Sequence, residues 1–217
     1  FLIAMGHRHI REGRMHLSTY ALNDCLKAED YAKLDLRQLR DAIQKAGIDQ
    51  ADQSVAYFLL QSNYDDALDR LAPEHVWPFF AEQPDFLAEA LGLLPSQLHG
   101  YYESYNVAAA LQILGYFPQL PTQFIPRLLE LALGESKSYR LQAQQLLQRL
   151  PDIRLRAEEG LASSKQEIRI VAAEWLVRLN DVAAIAALQT ALKKEKREVV
   201  IAALLTALEK LGEDISA

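Results

Sequence analysis

Apolar residues recur along the chain with the spacing of one buried face of an α-helix. The clearest case is EIRIVAAEWLVRLND at 167–181, where turn residues Asn180 and Asp181 close the segment. β-Strand signals, such as long alternating runs or Asn-Gly and Asp-Gly turns, are nearly absent. The chain is therefore predicted to be all-α. The apolar positions of this segment stand at i, i+4, i+7, i+8 and i+11, and are Ile168, Ala172, Trp175, Leu176 and Leu179.

The same five-position pattern occurs four times, at intervals of roughly 30 residues. The other copies begin at Asn106, Tyr139 and Val200, and each ends at a proline, glycine or other turn residue. The first three copies lead into a second apolar helix, in QFIPRLLELAL, IRLRAEEGLA and VAAIAALQTAL. Two-helix units that repeat at this interval are typical of α-solenoids, because one unit cannot bury its apolar face alone. Trp175 is accordingly predicted to fill a gap between units, and Ala172, Leu176 and Leu179 to be buried there.

The segment IRIVAAEWLVRLNDVAAIAALQTAL at 168–192 resembles the short HEAT-like repeats. The resemblance runs from near residue 103 to the end of the chain. It implies an α-α superhelix, a HEAT/armadillo-like solenoid, with about four units in residues 101–217, the last one incomplete. Residues 1–100 are then expected to form an irregular helical region that packs on the repeats. More faintly, the chain resembles the helical-repeat segment of large bacterial cytoplasmic proteins of the MolR type, which are described as molybdate-metabolism regulators.

The first hundred residues are helical by pattern but have no regular unit length. Leu36, Leu39, Ile43 and Ala46 have helical spacing, and Gly47 is predicted to end that helix. All eight prolines lie between residues 73 and 151, where most are expected to start or break helices. The stretch EHVWPFFAEQPDFLAEALGLLP at 74–95 is predicted to form two short helices that separate near Pro84.

Charge and composition exclude several classes of protein. Residues 1–100 carry 9 Lys+Arg and 15 Asp+Glu, and residues 101–217 carry 14 of each, so neither half has the basic excess of a dedicated nucleic-acid binder. No run of about 18 apolar residues predicts a membrane span. Cys25 is the single cysteine, which fits a cytoplasmic protein without disulfides. The chain begins with Phe1, so it is expected to be an interior part of a longer protein.

Candidate chemistry is sparse. His7, His9 and His16 are either metal ligands or a solvated basic end, and their spacing favours the second reading because a helix places ligands at i and i+4. Cys25 is either a nucleophile or, more commonly, a small buried apolar side chain. The sequence contains no phosphate-binding glycine loop and no hydrolase or metalloprotease motif. We therefore predict a protein with no catalytic residue, no metal and no cofactor.

The leading functional prediction is a non-enzymatic scaffold that binds a protein, or another segment of its own longer chain. The alternative is a nucleic-acid-binding solenoid, for which KKEKRE at 193–198 is the best basic stretch and YYESY at 101–105 the best stacking candidate. Glu195 and Glu198 interrupt the basic stretch, which favours a solvated loop. Oligomeric state is left open. The resemblance implies that the second helices line a concave, mixed-charge face, and the predicted partner-binding residues are Arg127, Glu130, Arg154, Glu158, Gln189 and Lys193.

Overall fold

The computed structural model describes residues 10–11, 14–15, 27–60, 67–95, 107–134 and 137–213. Thirteen α-helices and two short 3₁₀ turns account for most of these residues. The strands among them are β1 (Ile10–Arg11) and β2 (Arg14–Met15), which pair antiparallel. The predicted all-α class is confirmed for the part of the chain that the structure describes.

The chain divides into two compact units, residues 1–124 and residues 125–217. The predicted boundary at residue 100 lies among residues that the structure does not describe, and it stays a prediction. The helices of the first unit are α1 (Ala28–Tyr31), α2 (Leu36–Lys45), α3 (Ala51–Leu60), α4 (Ala67–Arg70), α5 (Pro73–Glu82), α6 (Asp85–Ala90) and α7 (Val107–Tyr116). Those of the second are α8 (Ile125–Leu133), α9 (Arg140–Leu147), α10 (Ile153–Gly160), α11 (Gln166–Leu179), α12 (Ile185–Lys194) and α13 (Glu198–Lys210).

Local sequence signals set the helix ends in the first unit. The Asp35 carboxylate caps α2 by accepting hydrogen bonds from the backbone N–H groups of Arg37 (2.8 Å) and Gln38 (3.3 Å). Burial by itself raises the pKa of Asp35, but hydrogen bonds from the side chain and backbone of Arg37 and from Gln38 outweigh it, so the pKa lies below its usual value. Gly47 follows α2 with a φ of 80°, as expected of a glycine that ends a helix.

The prediction of two short helices around Pro84 is confirmed. Helix α5 begins at Pro73 and ends at Glu82, and α6 begins directly after Pro84. Proline suits the start of a helix because the first N–H groups have no partner within the helix. Aromatic and aliphatic side chains of α5 and its neighbours in the first unit form the core there, including Val55, Phe58, Leu59, Val76, Phe79, Phe80, Leu87 and Leu114.

The second unit is built from helices that pack on their successors in sequence. Helix α8 packs on α9, α10 on α11, and α12 on α13, while α11 also packs on α13. Each of α8, α10 and α12 has a buried residue at its fourth or fifth position, namely Leu128, Ala157 and Leu188. The left-handed Asn180 ends α11, and the Asp181 carboxylate caps the following 3₁₀ turn (Val182–Ala184) by accepting the Ala183 N–H at 3.0 Å.

The repeated five-position pattern predicts burial correctly at its three central positions. All four copies bury them: Ala110, Ile113 and Leu114; Ala143, Leu146 and Leu147; Ala172, Trp175 and Leu176; and Leu204, Ala207 and Leu208. Trp175 is 0% exposed, which confirms its assignment to the interior. The prediction for Leu179 is wrong, because this side chain is only half-buried. Leu179 is the last residue of α11, so no further turn of the helix follows to cover it.

Candidate partner-binding groove in residues 158–197

The six predicted partner-binding residues lie on α8, α10 and α12, and most are engaged within the chain. Arg127 pairs with Glu130 at 2.8 Å on α8. On α10, Arg154 pairs with Glu158 and also contacts the Asp181 carboxylate at 3.0 Å.

The two predicted partner-binding residues on α12, Gln189 and Lys193, have different surroundings. The Gln189 amide donates to Glu213 at 2.6 Å, whereas Lys193 is exposed. Of the six predicted residues, Glu158 alone lines a groove that lies beside α12. This groove therefore lies beside the predicted residues, and its lining consists mostly of other side chains.

This groove, called here the α12 groove, has a volume of about 790 Å³. It lies between the turn that follows α10, the start of α11, and the length of α12 with the segment after it. Its floor is made of short side chains and its rim of charged ones. The lining residues are Glu158, Leu161, Ala162, Ser163, Arg169, Ala186, Ala187, Thr190, Ala191, Lys194, Glu195, Lys196 and Arg197.

Helical spacing explains why α12 forms one wall. Ala186, Thr190 and Lys194 stand at i, i+4 and i+8, so they share one face of the helix, and all three are exposed. Leu188 lies on another face and is fully buried. Because alanine and threonine are short, this wall leaves open the space that leucine or lysine would fill at the same positions.

An ion pair between α11 and the end of α12 closes one end of the groove. Arg169 Nε donates to Glu195 Oε2 at 2.6 Å, and Arg169 Nη2 donates to Glu195 Oε1 at 3.2 Å. The remaining Arg169 nitrogen donates to the backbone carbonyls of Ser163 (2.9 Å) and Ser164 (3.2 Å). Arg169 thus ties the turn after α10 to the segment after α12. A two-pronged arginine–carboxylate contact of this kind fixes geometry as well as charge.

The Glu195 carboxylate is held in its ionised form. Its side chain is only 8% exposed, and it also accepts the backbone N–H groups of Lys196 and Arg197, each at 2.9 Å. The hydrogen bonds from Arg169 are the largest cause that lowers the pKa of Glu195 to about 2, and the two backbone donors act in the same direction. Glu195 therefore neutralises Arg169 and organises the backbone of the short link between α12 and α13.

This arrangement changes how the KKEKRE stretch is understood. The sequence predicts that Glu195 offsets the charge of the neighbouring lysines, but in the structure Glu195 forms its ion pair with Arg169. Glu158, the other acid of the lining, is committed to Arg154. Lys194, Lys196 and Arg197 are exposed and have no ion pair within the described residues. The rim of the α12 groove is thus positively charged although the stretch looks balanced in sequence.

A second groove provides an internal comparison. Residues 185–192 (IAALQTAL) and 201–208 (IAALLTAL) differ only at Gln189 and Leu205, so α12 and α13 carry nearly the same face. The α13 copy lines a groove of about 550 Å³ against α11, here the α13 groove. Its lining holds one acid, Glu174, and two basic residues, Arg178 and Lys210, compared with two acids and four basic residues in the α12 groove. Its lining residues are Glu174, Val177, Arg178, Ala202, Ala203, Thr206, Ala207 and Lys210.

Sequence reasoning missed the α12 groove because the ion pair beside it joins residues that are distant in sequence. Arg169 and Glu195 are 26 residues apart, and no local pattern pairs them. The duplicated IAAL-x-TAL segment was a usable signal, because it places Ala186, Thr190 and Lys194 on one face of a helix.

Metal and membrane sites are not indicated in the part of the chain described. No three His, Cys, Asp or Glu side chains among those residues are placed to hold a metal ion. His7, His9, His16 and Cys25, like the YYESY stretch, lie outside the described residues, so the predictions about them stay predictions. Within the described residues, no helix combines the length and apolar character that crossing a membrane requires.

Comparisons with protein-family models, with curated proteins and with solved structures returned no match. The HEAT-like and MolR-type resemblances stay predictions made from the sequence. Function is therefore inferred from the α12 groove and from the helices that form it.

Proposed function

We propose that this chain is a non-enzymatic protein-interaction scaffold of the HEAT-like helical-repeat type, and that it binds its partner in the α12 groove. The observation that carries the proposal is the groove itself: an open channel of about 790 Å³ with a floor of short side chains and a rim of unpaired cations. Partner recognition on a repeat scaffold uses surfaces formed between successive units. The α12 groove has this character, since α10, α11 and α12 all contribute to it.

The character of the lining favours a protein partner over a small substrate. The volume of the groove is within the range of small-molecule pockets, but such pockets are lined mainly by apolar and aromatic side chains. Here six of the thirteen lining residues are charged and none is aromatic. No acid/base pair with the geometry of a catalytic site stands in the lining, because Glu158 and Glu195 are each bound to an arginine. A macromolecular surface suits this lining better than a small substrate does.

Photo-cross-linking from inside the groove tests the proposal. A benzoylphenylalanine is placed at Thr190, and in a matched protein at Thr206, which is the equivalent position in the α13 groove. Both threonines are exposed, so both proteins should fold. In extracts of the source cells we expect discrete protein adducts from position 190 that position 206 does not give. Adducts that are the same from both positions, or none from either, would contradict the proposal.

Two tryptophan variants test whether the cross-linked protein is bound inside the α12 groove. Ala186→Trp fills the α12 groove, and Ala202→Trp makes the same change on the α13 copy. We expect Ala186→Trp to abolish the adduct from position 190 and Ala202→Trp to leave it unchanged.

Nucleic-acid binding is the second candidate, and the cations Lys194, Lys196 and Arg197 are the observation that favours it. Phosphate contacts release counterions, so this function predicts affinity that falls steeply with salt. Adducts from position 190 that contain nucleic acid and disappear after nuclease treatment would move this candidate ahead of the scaffold.

A further inference from the structure

We infer that the occupant of the α12 groove is an acidic, amphipathic α-helix of a partner protein. This inference rests on the proposed function and adds the chemistry of the partner. It depends on three properties of the groove: the charge of its rim, the size of its floor residues and its length along α12.

The charge of the rim selects an acidic ligand. Lys194, Lys196 and Arg197 are all exposed and have no ion pair within the described residues, and both lining acids are already bound to arginines. Counting formal charges, the lining has four cations and two anions. A partner that brings carboxylates to this rim gains attraction and faster association, whereas a basic partner is repelled.

The floor admits a helix at close range. Ala186, Ala187, Thr190 and Ala191 put only short side chains between the α12 backbone and the groove. Short residues at a helix contact allow the two axes to approach closely, since interaxial distance depends on the side chains at the contact. Apolar side chains of the incoming helix then occupy the groove volume.

The length of the groove fits a helix of at least two turns. From Ala186 to Lys194 the wall follows nine residues of α12, and the eight steps between them span about 12 Å at a rise of 1.5 Å per residue. A helix that lies along this wall places a leucine or alanine in the groove about every turn and its carboxylates over Lys194 and Lys196. An extended peptide has no β-strand edge to pair with here, because the lining consists of helix, turn and the irregular residues 163 and 195–197.

The same lining disfavours nucleic acid. Single strands are bound by aromatic side chains that stack on bases, and no aromatic residue lines the groove. A rim of three unpaired cations also neutralises few phosphates, and the whole chain has a net charge of −6. Charge and shape therefore favour an acidic protein helix.

The α13 groove supplies the control that isolates charge from shape. It has the same Ala-Ala-x-x-Thr face, but it lacks the cation cluster. A ligand attracted only by short floor residues binds both grooves, whereas a ligand that also needs the cations binds the α12 groove alone.

The test uses the 217-residue chain and a fluorescein-labelled peptide of about 16 residues, with leucine and alanine on one helical face and glutamate on the other. Fluorescence anisotropy is recorded at about 0.05 M and about 0.3 M salt. A peptide with lysine in place of glutamate is the first control, and a thymine oligonucleotide is the second. We expect the acidic peptide to bind with greater affinity at the lower salt, and neither control to bind comparably.

Variants then locate the binding. Lys194→Glu with Lys196→Glu should weaken acidic-peptide binding by at least about tenfold, because two attractions become repulsions. The matched double variant Lys33→Glu with Lys45→Glu makes the same change in net charge on exposed lysines that do not line the α12 groove, and it should weaken binding by less than about threefold. Ala186→Trp should abolish binding, and Ala202→Trp should not. Circular dichroism of each variant confirms folding.

Four results would overturn the inference. The first two are that both double variants weaken binding equally, or that the acidic peptide does not bind. The third is that the oligonucleotide binds more tightly than the peptide, through Lys194 and Lys196. The fourth is self-association of the chain that Ala186→Trp abolishes, because a second copy of the chain would then be the occupant. If the peptide fails while cross-linking from Thr190 still captures a protein, the scaffold function stands and the acidic-helix partner is wrong.

Discussion

At the scale of single residues, buried polar side chains join neighbouring elements through hydrogen bonds. Glu195 and Gln144 are two such groups, and each connects elements that are distant in sequence. Both are nearly inaccessible to solvent, with 8% of the Glu195 side chain and 2% of Gln144 exposed. Burying a polar group is unfavourable unless it is hydrogen-bonded. Substitutions that remove the hydrogen bonds of Glu195 or Gln144 are therefore expected to lower the stability of the protein.

Glu195→Gln should make the stability of the protein less dependent on pH in the acidic range. The folded pKa of about 2 lies below the ordinary value of 4.5, so the carboxylate contributes stability that is fully present above about pH 4.5. That contribution is lost as the pH falls from 4.5 through 2. The variant should therefore be less stable than the wild type at pH 7, and the difference should shrink by about pH 3.5. Urea unfolding at both pH values measures it.

Glu198→Gln is the matched control for this experiment. Glu198 is exposed in the first turn of α13, three residues from Glu195, and has no ion pair within the described residues. We expect it to show little change in pH dependence. A Glu195→Gln variant whose difference from wild type stays constant between the two pH values would contradict the assigned role of the Arg169–Glu195 pair.

Gln144→Leu should destabilise the second unit by about 1–3 kcal/mol. The Gln144 amide nitrogen donates to the Ala132 carbonyl at 2.9 Å, and its oxygen accepts from Arg178 Nε at 3.0 Å, so it joins α8, α9 and α11. Partial burial lowers the pKa of Arg178, and the nearby charge of Arg140 acts in the same direction. Leucine keeps the approximate volume but leaves a carbonyl and an arginine N–H without these partners.

Chemical denaturation of Gln144→Leu and Gln145→Leu side by side checks this prediction. Gln145 is the adjacent residue on α9 and is exposed, so its replacement should change stability by less than about 0.5 kcal/mol. Similar losses in the two variants would mean that the buried hydrogen bonds are not the cause.

At the scale of elements, the close approach of neighbouring helices restricts which side chains fit between them. Gly160, the last residue of α10, is buried where α10 meets α11 and α8. A Cβ atom at this position would lie 2.9 Å from the Ala172 Cβ and 3.2 Å from Leu133 Cδ2. Leucine can adjust its rotamer, but the alanine Cβ moves only with its backbone. Glycine is therefore required here by the approach of two helices.

Gly160→Ala should destabilise the protein by about 1–3 kcal/mol, despite the better helix propensity of alanine, because the added methyl forces α10 and α11 apart. Ala172→Gly removes the opposing methyl, so the double variant should recover part of the loss. A double-mutant cycle from urea unfolding measures this coupling. Additive losses, with no recovery in the double variant, would show that the contact between residues 160 and 172 does not limit the approach.

The pattern of apolar positions accounts for much of the helical organisation. Ala172, Trp175 and Leu176 lie on one face at 3.6-residue spacing, and the same positions are buried in all four copies. Asn180 and Pro84 mark helix boundaries because their backbone preferences act within a few residues. Leu179 departs from the pattern because its exposure depends on what covers the end of α11, which spacing alone does not specify.

Only the tertiary structure decides the properties of the candidate site in the whole molecule. The sequence determines that α12 presents Ala186, Thr190 and Lys194 on one face, since that follows from helical spacing. It does not determine that Glu195 turns to Arg169 and leaves Lys194, Lys196 and Arg197 unpaired, nor that the turn after α10 faces α12 across an open groove. The physical reason is range: helix propensity and periodicity act over a few neighbouring residues, whereas an ion pair across 26 residues and the space between helices exist only when several elements have packed together.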